Sequence, residues 1–304
     1  MVAEFYIIAE SFMQNPNLSI EEIESKTKSL ANDFVYIRKY KDSNKLFVHP
    51  EIYNIPFVND VSISDLLNND EIANNNLDRD VRVLLKKIIW ESEETDILTQ
   101  EVIEVLLPEH NEDICHGLIG FNIVDNAAPD FQVVYNLNGW LDFKRYFLGL
   151  YPKNEAFFIN ECCKYFPNLF FHDNTTTTIS DIFDNFPKKI IFHLTALNDK
   201  FRESQDGFRN RQQVLEHFSG NCHLDETASL EGHAERKPKF TYNFTNKEGK
   251  QQSVCCEPHL KLCKSDASGD NTYYQHRIYF HEGFENICSN KILIGHIGKH
   301  INFN

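Results

Sequence analysis

The sequence predicts an α+β protein with two domains. An N-terminal mixed α/β domain, residues 1–220, precedes a small antiparallel-sheet domain with a packed helix, residues 221–304. Short apolar runs alternate with stretches of helical spacing in the first part, whereas residues 239–301 alternate strand-like runs with turn-forming residues. The net charge of −15 also belongs entirely to residues 1–220, since residues 221–304 hold 10 Lys and Arg against 10 Asp and Glu.

Length and composition are those of a globular protein. The chain has 304 residues, 41% hydrophobic and 25% charged, and this length predicts two domains at roughly 100–200 residues each. No apolar run approaches the ~20 residues that a membrane-spanning helix requires. The start, MVAEFYIIAE, lacks the basic and small-residue features of a secretory leader. We therefore expect a cytoplasmic protein that makes no membrane contact.

The eight cysteines agree with that location. They include the adjacent pairs Cys162–Cys163 and Cys255–Cys256, and neighbouring cysteines rarely build a disulfide framework in a chain of this size. Reduced thiols are the simpler interpretation.

The first elements are predicted from local signals. EFYIIAE indicates a strand, and Ser19 with Glu22 forms a capping-box pattern that begins a helix. The apolar runs on either side of KDSN predict a hairpin. Residues 62–107 have mainly helical spacing, and the aromatic-rich residues 119–200 predict a Phe and Tyr core rather than a ligand-stacking surface.

Polar residues 219–239 predict a linker, after which the pattern changes to strands. Four runs, KFTYNF, QQSVCCEPHLKLC, YYQHRIYF and KILIGHIGKHI, predict a four-stranded meander with the preceding helix packed on one face.

Strand alternation separates an apolar face from a polar one in this meander. In VCCEPHLKLC, Glu257, His259 and Lys261 share a face opposite the leucines. In RIYF, Arg277 and Tyr279 lie on the polar face.

If the strands are neighbours, His259, Lys261, Arg277, Tyr279 and His300 converge on one concave surface. Such a set suits RNA cleavage without a metal or other cofactor. A general base takes the 2′-hydroxyl proton, Arg and Lys stabilise charge on phosphorus, and a general acid protonates the leaving 5′-oxygen. Histidine suits both proton roles because its unperturbed pKa is about 6.5.

The residues EPHLKL, HRIYFHEG and ILIGHIGKH resemble, in order and spacing, the C-terminal half of the RelE/HigB/YafQ-like toxins, which are ribosome-dependent mRNA interferases. The resemblance covers residues 230–304 and implies a RelE-like fold there. It also implies that Arg277 contacts phosphate, that His300 transfers a proton, and that His259, beside Glu257 and Lys261, lies on the upstream acid/base strand.

Substrate contacts are expected around this set. We assign them to five residues, two of which lie in the stretch GHAERKPK. That stretch also holds His233 and Arg236 and is equally well interpreted as a solvated charge run. The five are Glu257, Lys237, Lys239, His296 and Lys299.

A metal site competes for some of these residues. Cys256, His259 and Cys263, with Cys222, His223 or Cys288 as further ligands, are soft ligands at short spacing. Alternation places Cys256 and His259 on opposite faces, so we expect no metal. P-loop, G-x-G-x-x-G, G-x-S-x-G and H-E-x-x-H motifs are absent from the sequence.

The sequence therefore predicts a metal-independent endoribonuclease, a toxin or anti-phage defence effector that cuts RNA, including ribosome-bound mRNA. Its acidic N-terminal domain would regulate it, recognise a protein partner or hold the nuclease in check. An alternative is a non-enzymatic module that grips nucleic acid or protein through the same polar face, and a further one is a plain structural domain with surface histidines.

Overall fold

A computed structural model describes residues 1–124, 128–208, 210–232 and 234–301, and the chain forms two units, Met1–Lys144 and Arg145–Asn304. Helices and several sheets occur in both units, in agreement with the α+β class. Within the described ranges, no helix combines the length and apolar character needed to cross a membrane.

The first unit is built on parallel strands. Its elements in chain order are β1 (Val2–Ile7), α1 (Ile20–Arg38), β2 (Asn44–Val48), β3 (Pro56–Val58), β4 (Val61–Ser62), α2 (Ile63–Asn68), α3 (Asp70–Asn74), α4 (Arg79–Trp90), β5 (Glu93–Glu94), α5 (Thr99–Glu101), a π-helical turn (Val102–Leu106), β6 (Ile114–Ile119) and β7 (Val133–Val134). The next helix, α6 (Leu137–Leu150), begins in the first unit and ends in the second. Five strands form one sheet in the order β5-β2-β1-β6-β7, and every pairing in it is parallel.

At the start of this unit the predicted capping box is confirmed, but the hairpin predicted on either side of KDSN is wrong. The Ser19 hydroxyl oxygen accepts from the Glu22 backbone N–H, and the Ser19 backbone N–H donates to Glu22 Oε2, which is the predicted capping box. The helix continues to Arg38, through the residues assigned to the first hairpin strand, because Phe34 and Ile37 extend its buried face. The following strand, β2, pairs in parallel with β1 instead.

The second unit contains the C-terminal strands. Its further elements are α7 (Glu155–Tyr165), β8 (Leu169–Phe171), α8 (Thr175–Thr178), α9 (Pro187–Lys200), α10 (Arg211–Asn221), a 3-10 helix (Ala234–Phe240), β9 (Thr241–Thr245), β10 (Gln251–Cys255), β11 (His259–Leu262), β12 (His276–His281) and β13 (Ile292–Lys299). The main sheet has the order β11-β12-β13-β8, with β8 parallel to β13 and the other pairs antiparallel.

This sheet differs from the predicted meander. The run QQSVCCEPHLKLC forms two strands, because Pro258, which has no backbone N–H, interrupts it between β10 and β11. β10 pairs with β9 in a separate hairpin, and β8 supplies the fourth strand of the main sheet. The C-terminal sheet is therefore mixed rather than purely antiparallel.

The predicted division between residues 220 and 221 falls inside the second unit and within α10. Residues 145–220 supply β8, and they also supply Phe201 of the chain segment after α9, whose ring meets Phe280 of β12 edge-on at 5.2 Å. Because these segments bury the same core as the last three strands, the observed division comes at Lys144 and Arg145.

Candidate functional site

Register brings the predicted polar residues side by side on the main sheet. His259 pairs with Tyr279, and Tyr279 pairs with His296, on three neighbouring strands. Lys261 pairs with Arg277 in the adjoining row. The alternation inferred for β11 and β12 is thus confirmed by the pairing, because directly opposite residues of antiparallel strands share a face.

A carboxylate that sequence reasoning missed lies at the centre of the site. Glu231 Oε1 accepts a hydrogen bond from the Tyr279 hydroxyl at 3.1 Å. The same oxygen lies 3.7 Å from His259 Nδ1 and 3.5 Å from His300 Nε2. We call these four residues, Glu231, His259, Tyr279 and His300, the Glu231 cluster. Glu231 belongs to the stretch interpreted as a linker, where neither periodicity nor a motif marked it.

Most of the Glu231 cluster is buried, whereas the sequence predicted a concave open surface. Tyr279 is fully buried, His259 is 4% exposed, and the Glu231 side chain is 6% exposed. The chain before β9 covers them: Ser229 forms an isolated antiparallel bridge with His259, and the Phe240 ring stacks on Tyr279 with centroids 4.8 Å apart. His300, with 23% of its side chain exposed, is the most accessible member.

Burial keeps His259 neutral. It lowers the pKa of His259 from 6.5 to about 4, and the positive charges of Arg277 and Lys261 act in the same direction, against a hydrogen bond to the Glu257 backbone. Nδ1 lies 3.3 Å from the Glu257 carbonyl oxygen and Nε2 lies 3.1 Å from Ser229 Oγ. The neutral ring therefore donates from Nδ1 to the carbonyl and accepts the Ser229 hydroxyl at Nε2.

Tyr279 is held in its protonated form. Burial raises its pKa well above the ordinary value, and the negative charge and hydrogen bond of Glu231 raise it further. Tyr279 therefore acts as a hydrogen-bond donor that orients the carboxylate, rather than as a proton-transfer group.

Arg277 and Lys261 form a cationic pair beside the cluster. Arg277 is 8% exposed, and its Nη1 donates to the His276 carbonyl oxygen at 2.8 Å. Its buried Nε has no hydrogen-bond partner, and no Asp or Glu of the described ranges forms an ion pair with Arg277. Lys261 Nζ lies 3.9 Å from Glu226 Oε2, at the outer limit of an ion pair. A buried guanidinium without a carboxylate has the charge and the donors to bind an anion.

The structure places the predicted substrate-contacting residues in two groups, and Lys237, Glu257 and Lys239 form the first. Lys237 Nζ lies 3.3 Å from Glu257 Oε2, so these two form an ion pair at the edge of the covering segment. The exposed Lys239 lies on the same 3-10 helix. His233 lies outside the described residues.

His296 and Lys299 do not join the Glu231 cluster. His296 Nε2 donates to the Lys299 carbonyl oxygen at 3.0 Å, and its ring meets Tyr279 edge-on at 5.6 Å. The Lys299 side chain is exposed and lies 3.8 Å from Asp181 Oδ1. Each of these two side chains has a polar partner other than Glu231.

The cysteines proposed as metal ligands lie in different surroundings. Cys256 is buried in the apolar cluster around Phe240 and Phe244, and Cys263 Sγ lies 3.4 Å from the Tyr273 hydroxyl. Over the part of the chain that the structure describes, no three His, Cys, Asp or Glu side chains are grouped so as to hold a metal ion.

Comparison with family models, with curated proteins and with solved structures found no match to this chain.

Proposed function

We propose that the second unit is a metal-independent endoribonuclease with a RelE-like, mRNA-interferase type of activity, acting as a toxin or defence effector. The observation that carries the proposal is the position of an imidazole and a carboxylate beside a buried arginine. His300 faces Glu231 at 3.5 Å, and Arg277 has no carboxylate partner among the described residues. A proton-transfer pair and an anion-binding group are the two elements that phosphodiester cleavage by a 2′-hydroxyl needs.

Each residue has a role in this reaction. Arg277 and Lys261 hold the scissile phosphate, and Glu231 orients the His300 ring through Nε2. With Nε2 facing Glu231, His300 takes the 2′-hydroxyl proton on Nδ1, which is buried in the free protein and has to be exposed when RNA binds. The 2′-oxygen attacks phosphorus, and the bond from phosphorus to the 5′-oxygen breaks. The Lys261 ammonium gives its proton to the departing oxygen, which leaves a 2′,3′-cyclic phosphate and a 5′-hydroxyl. His259 and Tyr279 are positioning residues, because one is neutral and the other remains protonated.

The test is RNA cleavage by the purified protein, with and without ribosomes. We expect His300→Ala and Arg277→Ala to lower the cleavage rate at least 100-fold, in the range of a lost general base or charge stabiliser. Glu231→Gln keeps the shape and the hydrogen-bond acceptor but loses the charge, and should cost about tenfold. His217→Ala, at an exposed position of α10, is the matched control. Cleavage by the Arg277 and His300 variants at the native rate would refute this assignment.

A second candidate is a binding module that uses the same cations without chemistry. It is favoured by the burial of His259 and Tyr279, which removes two of the predicted catalytic groups from contact with solvent. The module would grip the backbone of RNA through Arg277 and Lys261. The binding module would be established by RNA binding that yields no cleavage products. This binding should weaken with added salt and with Arg277→Ala, but not with His300→Ala.

The first unit is proposed to regulate the second or to recognise a partner. Residues 1–144 contain 26 Asp and Glu against 11 Lys and Arg, whereas residues 145–304 contain 19 of each. The negative unit repels nucleic acid, so a basic protein is its expected partner. This role is supported if the first unit associates with a basic protein in a salt-sensitive way and added RNA does not change that association. It is excluded if the partner binds equally well at 0.5 M salt.

A further inference from the structure

We propose that the first unit binds a compact anion, a phosphate or carboxylate group, through Lys26, Ser29 and Tyr135 at the carboxyl edge of its parallel sheet. This site is separate from the Glu231 cluster and does not depend on the nuclease proposal.

Topology locates the site. From β1 the chain crosses to β2 on one side, and β6 flanks β1 on the other, so the strand order reverses between β1 and β6. In open parallel sheets, ligands bind in the crevice outside the carboxyl ends of the strands at such a reversal. β6 ends at Ile119 and β7 at Val134, and the residues that follow these strands line a cavity at that edge.

The cavity has a volume of about 80 Å³. A water molecule occupies about 30 Å³ of the liquid, so a few waters or one compact anion fit. The lining residues are Lys26, Ser29, Leu30, Gly120, Phe121 and Tyr135. Three of them can donate hydrogen bonds, and none is acidic, so the lining suits an anion.

Lys26 is held in place for this role. Its Nζ donates to Asn122 Oδ1 at 2.5 Å and lies 4.8 Å from the centroid of the Phe121 ring. In a unit where acidic residues outnumber basic ones, no Asp or Glu of the described ranges forms an ion pair with Lys26. Burial lowers the pKa of the Lys26 ammonium. An anion in the cavity would supply the missing counter-charge.

Tyr135 and Gly120 complete the wall. The Tyr135 hydroxyl accepts a hydrogen bond from the Val124 backbone N–H at 3.3 Å, which leaves its own proton for another acceptor. The ring packs directly on Gly120, the residue after β6, since a Cβ there would lie 2.6 Å from Tyr135 Cε1. Glycine is therefore required for the tyrosine to reach this position.

The experiment is titration of the full chain with inorganic phosphate and, separately, with acetate, monitored by the backbone amide shifts of Gly120 and Phe121. Saturable shifts are expected with at least one anion, and the better one identifies the group bound. Lys26→Gln should weaken this binding at least tenfold, whereas Lys28→Gln, at an exposed position of the same helix, should leave it unchanged.

Arg277→Gln, a substitution in the second unit, is a further control. It should not alter the anion-induced amide shifts at Gly120. The proposal is overturned if neither anion gives saturable shifts, if Lys26→Gln binds as the native chain does, or if Lys28→Gln weakens binding equally, which would indicate a diffuse charge effect.

Discussion

Three side chains that alternation and position had singled out, His259, Tyr279 and His300, lie within 3.7 Å of one Glu231 oxygen. Strand alternation could identify such side chains because it depends only on residues adjacent in sequence. It could not name Glu231, which comes from an irregular segment whose position depends on long-range packing. The covering of His259 has the same origin, since Ser229 of the irregular chain before β9 bridges to it.

At the residue scale, His259 predicts a pH dependence of stability. Because its pKa falls from 6.5 in the unfolded chain to about 4 in the folded protein, the unfolded chain binds more protons between these pH values. The stabilisation is complete above about pH 6.5 and is lost as the pH falls towards 4. This residue contributes at most about 3 kcal/mol.

Urea unfolding at a series of pH values checks this. His259→Gln should flatten the fall in unfolding free energy between pH 6.5 and 4, whereas His217→Gln should not. His193, whose pKa burial also lowers to about 4, keeps part of the slope in both variants. An unchanged slope in His259→Gln would show that His259 does not titrate in this way.

At the scale of elements, the predicted neighbours β11, β12 and β13 do pair, but the other partner of β13 was not predicted, because β8 lies in the aromatic-rich stretch where no strand was expected. The sheet accepts β8 as its fourth strand, and a bulge between Tyr279 and Phe280 shifts the register along β13. Gly298 allows close packing there, since a Cβ would lie 2.6 Å from the Thr178 carbonyl oxygen and 2.9 Å from His296 Nε2. This contact links β13 to the end of α8.

Gly298→Ala should therefore destabilise the protein by about 1–3 kcal/mol, the usual cost of overpacking. The matched control is Gly220→Ala, since a Cβ at this helical glycine would meet nothing within 4 Å. There alanine should be neutral or slightly stabilising, because it is the better helix former. Unfolding midpoints in urea measure both, and equal midpoints for the two variants would contradict the packing argument.

At the scale of the whole molecule, charge did not locate the boundary between units. Residues 145–220 contain 9 Lys and Arg and 9 Asp and Glu and so carry no net charge. The whole negative charge therefore lies before the boundary whether that boundary is placed at residue 144 or at residue 220. The structure divides the chain at Lys144 and Arg145 because β8 pairs with β13, and because Phe201 packs between Phe218 of α10 and Phe280 of β12.

A fragment of residues 221–304 should therefore not fold, whereas residues 145–304 should unfold cooperatively. The shorter fragment lacks β8 and α9 and exposes Phe280, which is fully buried in the chain. Near-ultraviolet circular dichroism during heating distinguishes the two. A cooperative transition for residues 221–304 alone would restore the boundary at residue 220.

The sequence by itself determined the α+β class, the capping of α1, the strands that carry the site and the side chains that share a face on β11 and β12. All of these depend on contacts between residues close in the chain. The tertiary structure decided the partner of β13, the division at residue 144, the arrival of Glu231 and the burial of His259. These depend on segments far apart in sequence, and packing against a common core selects such partners in ways that local periodicity does not record.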